Sequence, residues 1–321
     1  MALFVGFEMS QQSASGPSTP FALPSPHGRI GVYLTSHGVT KPGVLEDLLH
    51  ATKEGKLNAV VINVKNMHGE ITYDSAVPLA KTIGAATGRL DLPELLSVLR
   101  GNGLYLIARQ VVFYDPKLST YLGSADDPWV LPSDHEAVQY NLEIAQEVAS
   151  LGFDELQFDY IRYPDEGALT PIYEEHYRAV NRFLQQARHL LAGKVHLSAD
   201  IFGRVLWDWN RKRIDPIGQS LEDMAASVDL FSPMLYPSHY REAYYKDDPH
   251  RVVSEALACG QARVTTPFRP FLQAFDRDIP VGMSLEDYIS AQICAACATG
   301  ADGYLFWHPA CDYTALYNVL D

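Results

Sequence analysis

Hydrophobic positions along the chain alternate between two kinds of segment. From Arg29 onward, short runs rich in β-branched and aromatic residues are followed by longer runs in which apolar residues recur at helical spacing. The predicted strands cover residues 30–34, 59–64, 104–108, 155–159, 195–200, 229–235, 263–266 and 303–307. The predicted helices centre on residues 44–53, 92–100, 135–150, 171–191, 221–227, 249–258, 285–298 and 313–320. Strands that alternate with helices in this way are typical of a parallel sheet.

Eight strand and helix pairs in succession predict a closed (β/α)8 barrel, the TIM barrel. A doubly wound open sheet is the alternative architecture, but neither G-x-G-x-x-G nor G-x-x-x-x-G-K-[ST] follows any predicted strand. Residues 9–28 are rich in Ser, Pro, Gln and Gly, a composition typical of disordered segments. We therefore predict a disordered Ser/Pro-rich tail over residues 1–28 and a single barrel domain over residues 29–321.

Two neighbouring strands carry polar residues at positions that face the inside of a barrel. Side chains alternate along a strand, so every second residue faces the lumen. The polar set is Glu155, Gln157 and Asp159 in the fourth strand and His196, Ser198 and Asp200 in the fifth. An unpaired polar group in a lumen costs about 1–3 kcal/mol, so such sets persist where they pair with one another or serve a site. Both strands end on an aspartate, at the face where barrel enzymes place their active sites.

Asp159 and Asp200 are the candidate catalytic pair. Each aspartate alone is more typical of an Asx turn or a helix N-cap at a strand end, whereas two on adjacent strands favour a chemical role. Adjacent strands are about 4.8 Å apart, so the carboxylates are expected about 5–7 Å from each other. Carboxylate pairs hydrolyse glycosidic bonds with retention at about 5–5.5 Å and with inversion at about 6.5–9.5 Å. The sequence leaves both outcomes open.

Eight residues at the strand ends are candidate substrate-binding groups. They are Asn63, Lys65, Arg109, Arg162, Tyr236, His239, Trp307 and His308. Arg109 or Arg162 is expected to hold the neighbouring Asp159 carboxylate in its ionised form. An arginine in the position of Arg162 more often pairs with a loop carboxylate such as Asp165. The indole of Trp307 offers an apolar face on which a sugar ring stacks.

Charge and motif content narrow the class of ligand. The chain carries 25 basic and 39 acidic residues, a net charge of −14, which disfavours nucleic acid and anionic membranes as partners. No apolar run approaches the roughly 18 residues of a membrane span. No His-x-His ends the first strand and no H-E-x-x-H occurs, so we predict neither a metal nor an organic cofactor, with a zinc hydrolase as the rival class. Residues 1–8 lack the basic region of an export signal, so a cytoplasmic location is the default expectation, and a leader further upstream is left open.

Five segments of the chain resemble a known family. They are G-V-Y-L-T at residues 31–35, L-N-A-V-V-I-N-V-K at 57–65, Ala108-Arg109, G-F-D-E-L-Q-F-D-Y-I-R-Y-P at 152–164 and S-P-M-L-Y-P-S-H-Y at 232–240. In order and spacing they are similar to the putative glycoside hydrolase domain family, which is grouped with α-amylase-like and related TIM-barrel hydrolases. The resemblance extends over about residues 31–309.

This resemblance implies a glycosidase that acts on an oligo- or polysaccharide, in a family often found in the bacterial envelope or outside the cell. By analogy with amylase-type barrels, it implies that Asp159 is the nucleophile or charge stabiliser and Asp200 the acid/base. The family more often carries Asp-Val-Lys-Asp where this chain has Asn63 and Asn66, so an altered or inactive member is also open. A non-catalytic carbohydrate-binding barrel and a transglycosylase are the alternative functions.

Overall fold

The computed structural model describes residues 23–320, and these form a closed barrel of eight parallel strands. The strands are β1 (Arg29–Leu34), β2 (Ala59–Lys65), β3 (Tyr105–Val111), β4 (Glu155–Asp159), β5 (His196–Phe202), β6 (Leu230–Met234), β7 (Phe271–Gln273) and β8 (Gly303–Trp307). Each strand pairs with the next in the chain, and β8 pairs with β1 to close the ring. The predicted (β/α)8 barrel is confirmed.

Helices connect the successive strands. They are α1 (Ser36–Thr40), α2 (Val44–Lys53), α3 (Pro78–Thr82), α4 (Leu92–Gly101), α5 (Pro116–Tyr121), α6 (His135–Ser150), α7 (Glu174–Leu191), α8 (Leu221–Ala225), α9 (Ala243–Lys246), α10 (Pro249–Gln261), α11 (Leu285–Ala298) and α12 (Thr314–Val319). An aspartate or serine side chain accepts a hydrogen bond from a backbone amide at the start of α4, α5, α6, α8, α10 and α11. These caps satisfy amides that have no partner within the helix.

The seventh strand lies further along the chain than its prediction. Residues 263–266 form a connection after α10, and β7 is the three-residue segment Phe271–Gln273. The β-branched run at 264–266 has the composition of a strand, but prolines at positions 267 and 270 lack the N–H that a sheet requires. Arg263 donates hydrogen bonds of 2.9 and 2.7 Å to the Glu222 carboxylate, which fixes the connection against α8.

Apolar and polar side chains share the inside of the barrel. The apolar set contains Tyr33, Ala59, Val61, Tyr105, Ile107, Tyr236, Phe271 and Leu305. Beside it, the fully buried Glu155 carboxylate accepts hydrogen bonds from Ser198, Tyr105 and Arg269. Because a buried charge is tolerated only when it is paired, this network satisfies polar residues at the N-terminal ends of β4 and β5. The C-terminal ends of both strands remain for Asp159 and Asp200.

The first described residues lie against the N-terminal end of the barrel. The Pro24 carbonyl oxygen is 3.0 Å from His196 Nε2, and the Gly28 amide donates a 2.9 Å hydrogen bond to Asp302. Residues 1–22 of the tail predicted at 1–28 lie outside the described part of the chain. Within residues 23–320, no helix is both long and apolar enough to cross a bilayer.

Lys65 does not lie at the mouth of the barrel, which corrects its prediction as a substrate-binding residue. A register shift between Asn63 and Lys65 interrupts the alternation of β2, and the Lys65 side chain is completely buried. Its Nζ lies 2.7 Å from a carboxylate oxygen of Asp115 and 3.0 Å from Oδ1 of Asn141 in α6. Asp115 also caps α5, so this ion pair joins β2 to the outer layer of helices.

Lys65→Ala is expected to lower the free energy of unfolding by about 3–5 kcal/mol, because it leaves the Asp115 carboxylate buried without its cation. Urea denaturation monitored by circular dichroism measures this loss. The double variant Lys65→Met/Asp115→Asn removes both charges and is expected to recover much of it. A single variant as stable as the wild type would contradict the structural role of Lys65.

Gly303→Ala is expected to destabilise the barrel more than a comparable glycine substitution elsewhere. Gly303 has φ +83°, and a Cβ atom there would lie 2.0 Å from the carbonyl oxygen of Arg29, its partner across the β8–β1 seam. Gly282 has a similar φ of +86° with no atom within 4 Å of the added carbon. Gly282→Ala therefore measures the backbone strain alone, about 1–2 kcal/mol, and thermal unfolding should show a clearly larger loss for Gly303→Ala. Equal losses would mean that the seam tolerates a side chain.

Candidate active site

Arg109 brings the polar ends of four strands together at the C-terminal mouth of the barrel. From β3, its Nε donates a 3.0 Å hydrogen bond to Asp159 Oδ2, and its Nη1 donates one of 3.0 Å to Asn63 Oδ1. The same Nε lies 3.8 Å from Asp200 Oδ2. The guanidinium carbon is 5.2 Å from the ring centroid of Tyr33 in β1. A single cation thus contacts both predicted catalytic carboxylates.

The two carboxylates are close enough for joint chemistry. Asp159 Oδ2 and Asp200 Oδ2 lie 3.0 and 3.8 Å from the same nitrogen atom. The separation of these two oxygen atoms is therefore at most the sum of these distances, about 6.8 Å, and this limit lies below most of the range of about 6.5–9.5 Å that inverting glycosidases use.

Local backbone structure fixes the Asp159 carboxylate. The amide of Tyr160 donates a 2.6 Å hydrogen bond to Asp159 Oδ1, and the Asp159 carbonyl accepts one from Val112 beyond the end of β3. Tyr160 has φ +54°, a left-handed conformation that is unfavourable for a residue other than glycine. Asp159 therefore accepts hydrogen bonds from a charged donor and from a strained backbone turn.

Asp200 occupies a different environment from Asp159. It is only 2% exposed, and within residues 23–320 its Oδ1 has no hydrogen-bond partner. Burial, followed by repulsion from Asp159, raises the pKa of Asp200 well above its ordinary value, although Arg109 acts in the opposite sense. Asp200 therefore keeps its proton to a higher pH than an ordinary aspartic acid. Burial likewise raises the pKa of Tyr33, to about 12.

Arg109 remains a cation in this site. Burial is the largest single influence and lowers the pKa of Arg109, but the charge and hydrogen bond of Asp159 together with Tyr33 and Asp200 outweigh it, and the pKa is raised overall. The Asn63 amide adds a hydrogen bond without adding charge.

Arg162 makes contacts other than those predicted for it. Its guanidinium carbon lies 4.5 Å from the ring centroid of Trp129 and 4.6 Å from that of Phe202, and it donates a hydrogen bond to the Tyr163 carbonyl. Asp165, the alternative partner considered for Arg162, accepts hydrogen bonds from Arg204 instead. The cation that holds Asp159 is therefore Arg109.

The predicted residues after β6 and β8 meet on the other side of the mouth. The ring centroid of Tyr236 lies 5.8 Å from that of Trp307 and 5.0 Å from that of His239. Phe275, which the sequence reasoning missed, packs edge-on against Trp307 at 5.1 Å. His308 lies beside them, and its Nδ1 accepts hydrogen bonds from two amides of its own loop.

The two asparagines of the β2 motif have different roles. Asn63 contacts Arg109 in the site, as described above. Asn66 shapes the following loop, since its Oδ1 accepts hydrogen bonds from the amides of His68 and Glu70. Across residues 23–320, no group of three or more His, Cys, Asp or Glu side chains is arranged to bind a metal ion.

The fold is shared with several proteins of known structure. The PgaB (BpsB) glycoside hydrolase domain from Bordetella bronchiseptica is 18% identical, with a TM-score of 0.65 over 91% of this chain and 99% of that chain. An endo-1,4-β-mannanase from Rhizomucor miehei is 11% identical, with a TM-score of 0.63 over 92% and 94% of the two chains. The spore cortex-lytic enzyme SleL from Bacillus cereus is 10% identical, with a TM-score of 0.60 over 92% and 74%. At these identities the likeness concerns the fold alone.

A family model gives the relationship in sequence. No curated protein sequence matches the chain significantly, and the expected α-amylase-like affiliation is not confirmed by these comparisons. Residues 31–313 match the model of the family described as "Putative glycosyl hydrolase domain". The match covers nearly the whole barrel, and the chain belongs to this family of glycosyl hydrolase domains.

Proposed function

We propose that the protein is a glycoside hydrolase that cleaves an oligo- or polysaccharide with Asp159 and Asp200. The observation that carries this proposal is the contact of both carboxylates with one arginine, in unlike surroundings, at the C-terminal mouth of the barrel. Pairs of titratable groups with different proton affinities supply the acid and base of such reactions. Membership of a glycosyl hydrolase domain family supports the same reaction class.

Asp200 is the proton donor in this scheme. Its raised pKa keeps it protonated when substrate binds, and it transfers that proton to the glycosidic oxygen as the bond to the anomeric carbon breaks. Asp159, as carboxylate, forms the new bond to the anomeric carbon. The upper limit of about 6.8 Å favours this retaining route, because the inverting route needs about 6.5–9.5 Å to accommodate a water molecule.

Arg109 links the two steps electrostatically. When Asp159 becomes an ester its negative charge disappears, and at the same moment Asp200 becomes a carboxylate. Arg109 lies within 4 Å of both groups. It therefore stabilises the negative charge that forms on Asp200 while the charge on Asp159 disappears. In the second step Asp200 accepts a proton from water, water replaces Asp159 at the anomeric carbon, and the starting state returns.

A carbohydrate-binding barrel without activity and a transglycosylase are the alternatives. A binding protein has no need of a protonated carboxylic acid beside an ionic pair, so the difference between Asp159 and Asp200 favours catalysis. Transglycosylation uses the same first step, with a sugar hydroxyl in place of water, and analysis of the products distinguishes it from hydrolysis.

Asp159→Asn is expected to lower turnover by about 10³-fold or more while binding of the glycan is retained, because a carboxamide cannot form the ester or stabilise the developing positive charge. The measurement is release of reducing ends from a panel of hydroxyethyl cellulose, galactomannan, glycol chitin, starch and pullulan. Asp47→Asn, an exposed position on α2, is the control and should act like the wild type. Undiminished turnover in Asp159→Asn would remove Asp159 from the mechanism. Glycan binding without cleavage by the wild type would favour the binding-protein alternative.

Asp200→Asn is expected to alter the pH dependence of both activity and stability. A raised folded-state pKa gives stability that is fully present below the unfolded value of about 3.9 and is lost as pH rises through the folded value. Asparagine has no such loss, so the melting temperature of Asp200→Asn relative to wild type should increase from pH 4 to pH 8. The same variant should lose the alkaline limb of the pH–rate profile. A constant difference in melting temperature, with an unchanged rate profile, would exclude a proton on Asp200.

A further inference from the structure

Three aromatic side chains form a cluster on the rim of the mouth beside Asp159. The ring centroid of Tyr114 lies 5.0 Å from that of Trp129 and 5.3 Å from that of Tyr160, and Trp129 and Tyr160 are 5.9 Å apart. All three are partly exposed. We call Tyr114, Trp129 and Tyr160 the rim cluster. None of them was singled out from the sequence, and the residues used so far for catalysis do not include them.

The backbone holds the rim cluster in place before any ligand binds. Tyr114 and Trp129 face each other across an antiparallel bridge within the loop after β3. Backbone hydrogen bonds on either side, from Asp115 to Pro128 and from Val130 to Phe113, extend this pairing. Tyr160 keeps its left-handed backbone conformation directly after Asp159. A surface that is ordered in advance loses little conformational entropy on binding.

Arg162 packs against the rim cluster from the side that faces the barrel. Only 9% of this residue is exposed, and its guanidinium carbon lies 4.5 Å from the ring centroid of Trp129 and 4.6 Å from that of Phe202. Cation–π contacts of this kind fix the tilt of the indole. Arg162 is therefore a positioning residue for the rim cluster.

The side-chain polar atoms of the rim cluster have no partner among residues 23–320. There, the hydrogen bonds of Trp129 and Tyr160 are made by their backbone amides and not by the indole N–H or the phenol hydroxyl, and the side-chain polar atoms of all three residues are open to solvent. Tyrosine and tryptophan that expose both a ring and a free polar atom are suited to ligands with an apolar face and hydroxyl groups at the edge. A pyranose ring has this form.

The position of the cluster relates it to the cleaved bond. Tyr160 follows Asp159 at the end of β4, and β4 lies opposite β8 in a ring of eight strands. The aromatic group of Tyr236, Phe275 and Trp307 therefore lies across the mouth from the rim cluster. Aromatic surfaces flank Asp159, Arg109 and Asp200 on both sides.

We propose that the rim cluster is a sugar-binding subsite that stacks the C–H face of a neutral pyranose residue next to the bond that is cleaved. The proposal rests on the glycoside hydrolase function and adds to it a recognition surface and a substrate class. With a second aromatic surface across the mouth, the substrate extends on both sides of the catalytic pair. Sugars on both sides of the cleaved bond then contribute to binding.

The test is the affinity of cleavage-deficient protein for neutral polysaccharides. Asp159→Asn, alone and combined with Trp129→Ala or Trp129→Phe, is run in affinity gel electrophoresis against hydroxyethyl cellulose, galactomannan and glycol chitin. We expect at least one polysaccharide to retard Asp159→Asn, a loss of affinity of about tenfold with Trp129→Ala, and most of the affinity kept with Trp129→Phe, which retains a ring. Tyr121→Ala, which removes an aromatic residue that is 49% exposed on α5 and outside the cluster, should have no effect.

Kinetics separate this proposal from the proposed function. In protein with Asp159 intact, Trp129→Ala should raise KM about tenfold and change kcat less than threefold, with an unchanged melting temperature. Reducing-end release that continues with an unaltered KM would overturn the subsite and leave the hydrolase function standing. Failure of all three polysaccharides to retard Asp159→Asn, or an equal loss with Tyr121→Ala, would also overturn the subsite. No reducing ends from any polysaccharide with wild-type protein would count against both proposals.

Discussion

One guanidinium shared by two buried carboxylates is the constraint on which the site depends. Arg109 is within hydrogen-bonding distance of Asp159 and 3.8 Å from Asp200. A single positive charge cannot fully neutralise both anions, so the pKa of the less well-paired group is raised. Asp200, with one oxygen lacking any partner in residues 23–320, is that group. The division of labour between acid and nucleophile in the proposed mechanism follows from this shortage of positive charge.

The rest of the barrel places the side chains of Arg109, Asp159 and Asp200 close together. Alternation along β3, β4 and β5 directs Arg109, Asp159 and Asp200 to the same side of the wall, and the parallel register brings their strand ends together. Lower in the lumen, Arg269 pairs with Glu155, so the Glu155 carboxylate does not compete with Asp159 and Asp200 for Arg109. The strained turn at Tyr160 fixes the end of β4 and simultaneously presents the rim cluster.

Sequence periodicity was sufficient for the fold and for the positions of Asp159 and Asp200 within it, because both depend on alternation within single strands. It failed where irregular backbone decides the outcome. The bulge in β2 sends Lys65 to Asp115, and prolines displace β7 beyond the β-branched residues that resemble it. The rim cluster joins positions 114, 129 and 160, whose contact depends on loop pairing that has no local pattern. The choice between Arg109 and Arg162 as the partner of Asp159 likewise has no local pattern in the sequence. It depends on the rings of Trp129 and Phe202, which hold Arg162 away from Asp159.

Asn63 illustrates how a departure from the expected motif fits this electrostatic arrangement. The resemblance implies that related chains more often have an aspartate in the β2 motif, which raised the question of an inactive member. In this structure the Asn63 amide accepts a hydrogen bond from Arg109 and thereby orients the guanidinium toward Asp159. An aspartate there would place a third anion on the same cation and reduce what Arg109 offers to Asp159 and Asp200. Asparagine keeps the orientation without that competition, so its presence is compatible with a working acid and nucleophile on β5 and β4.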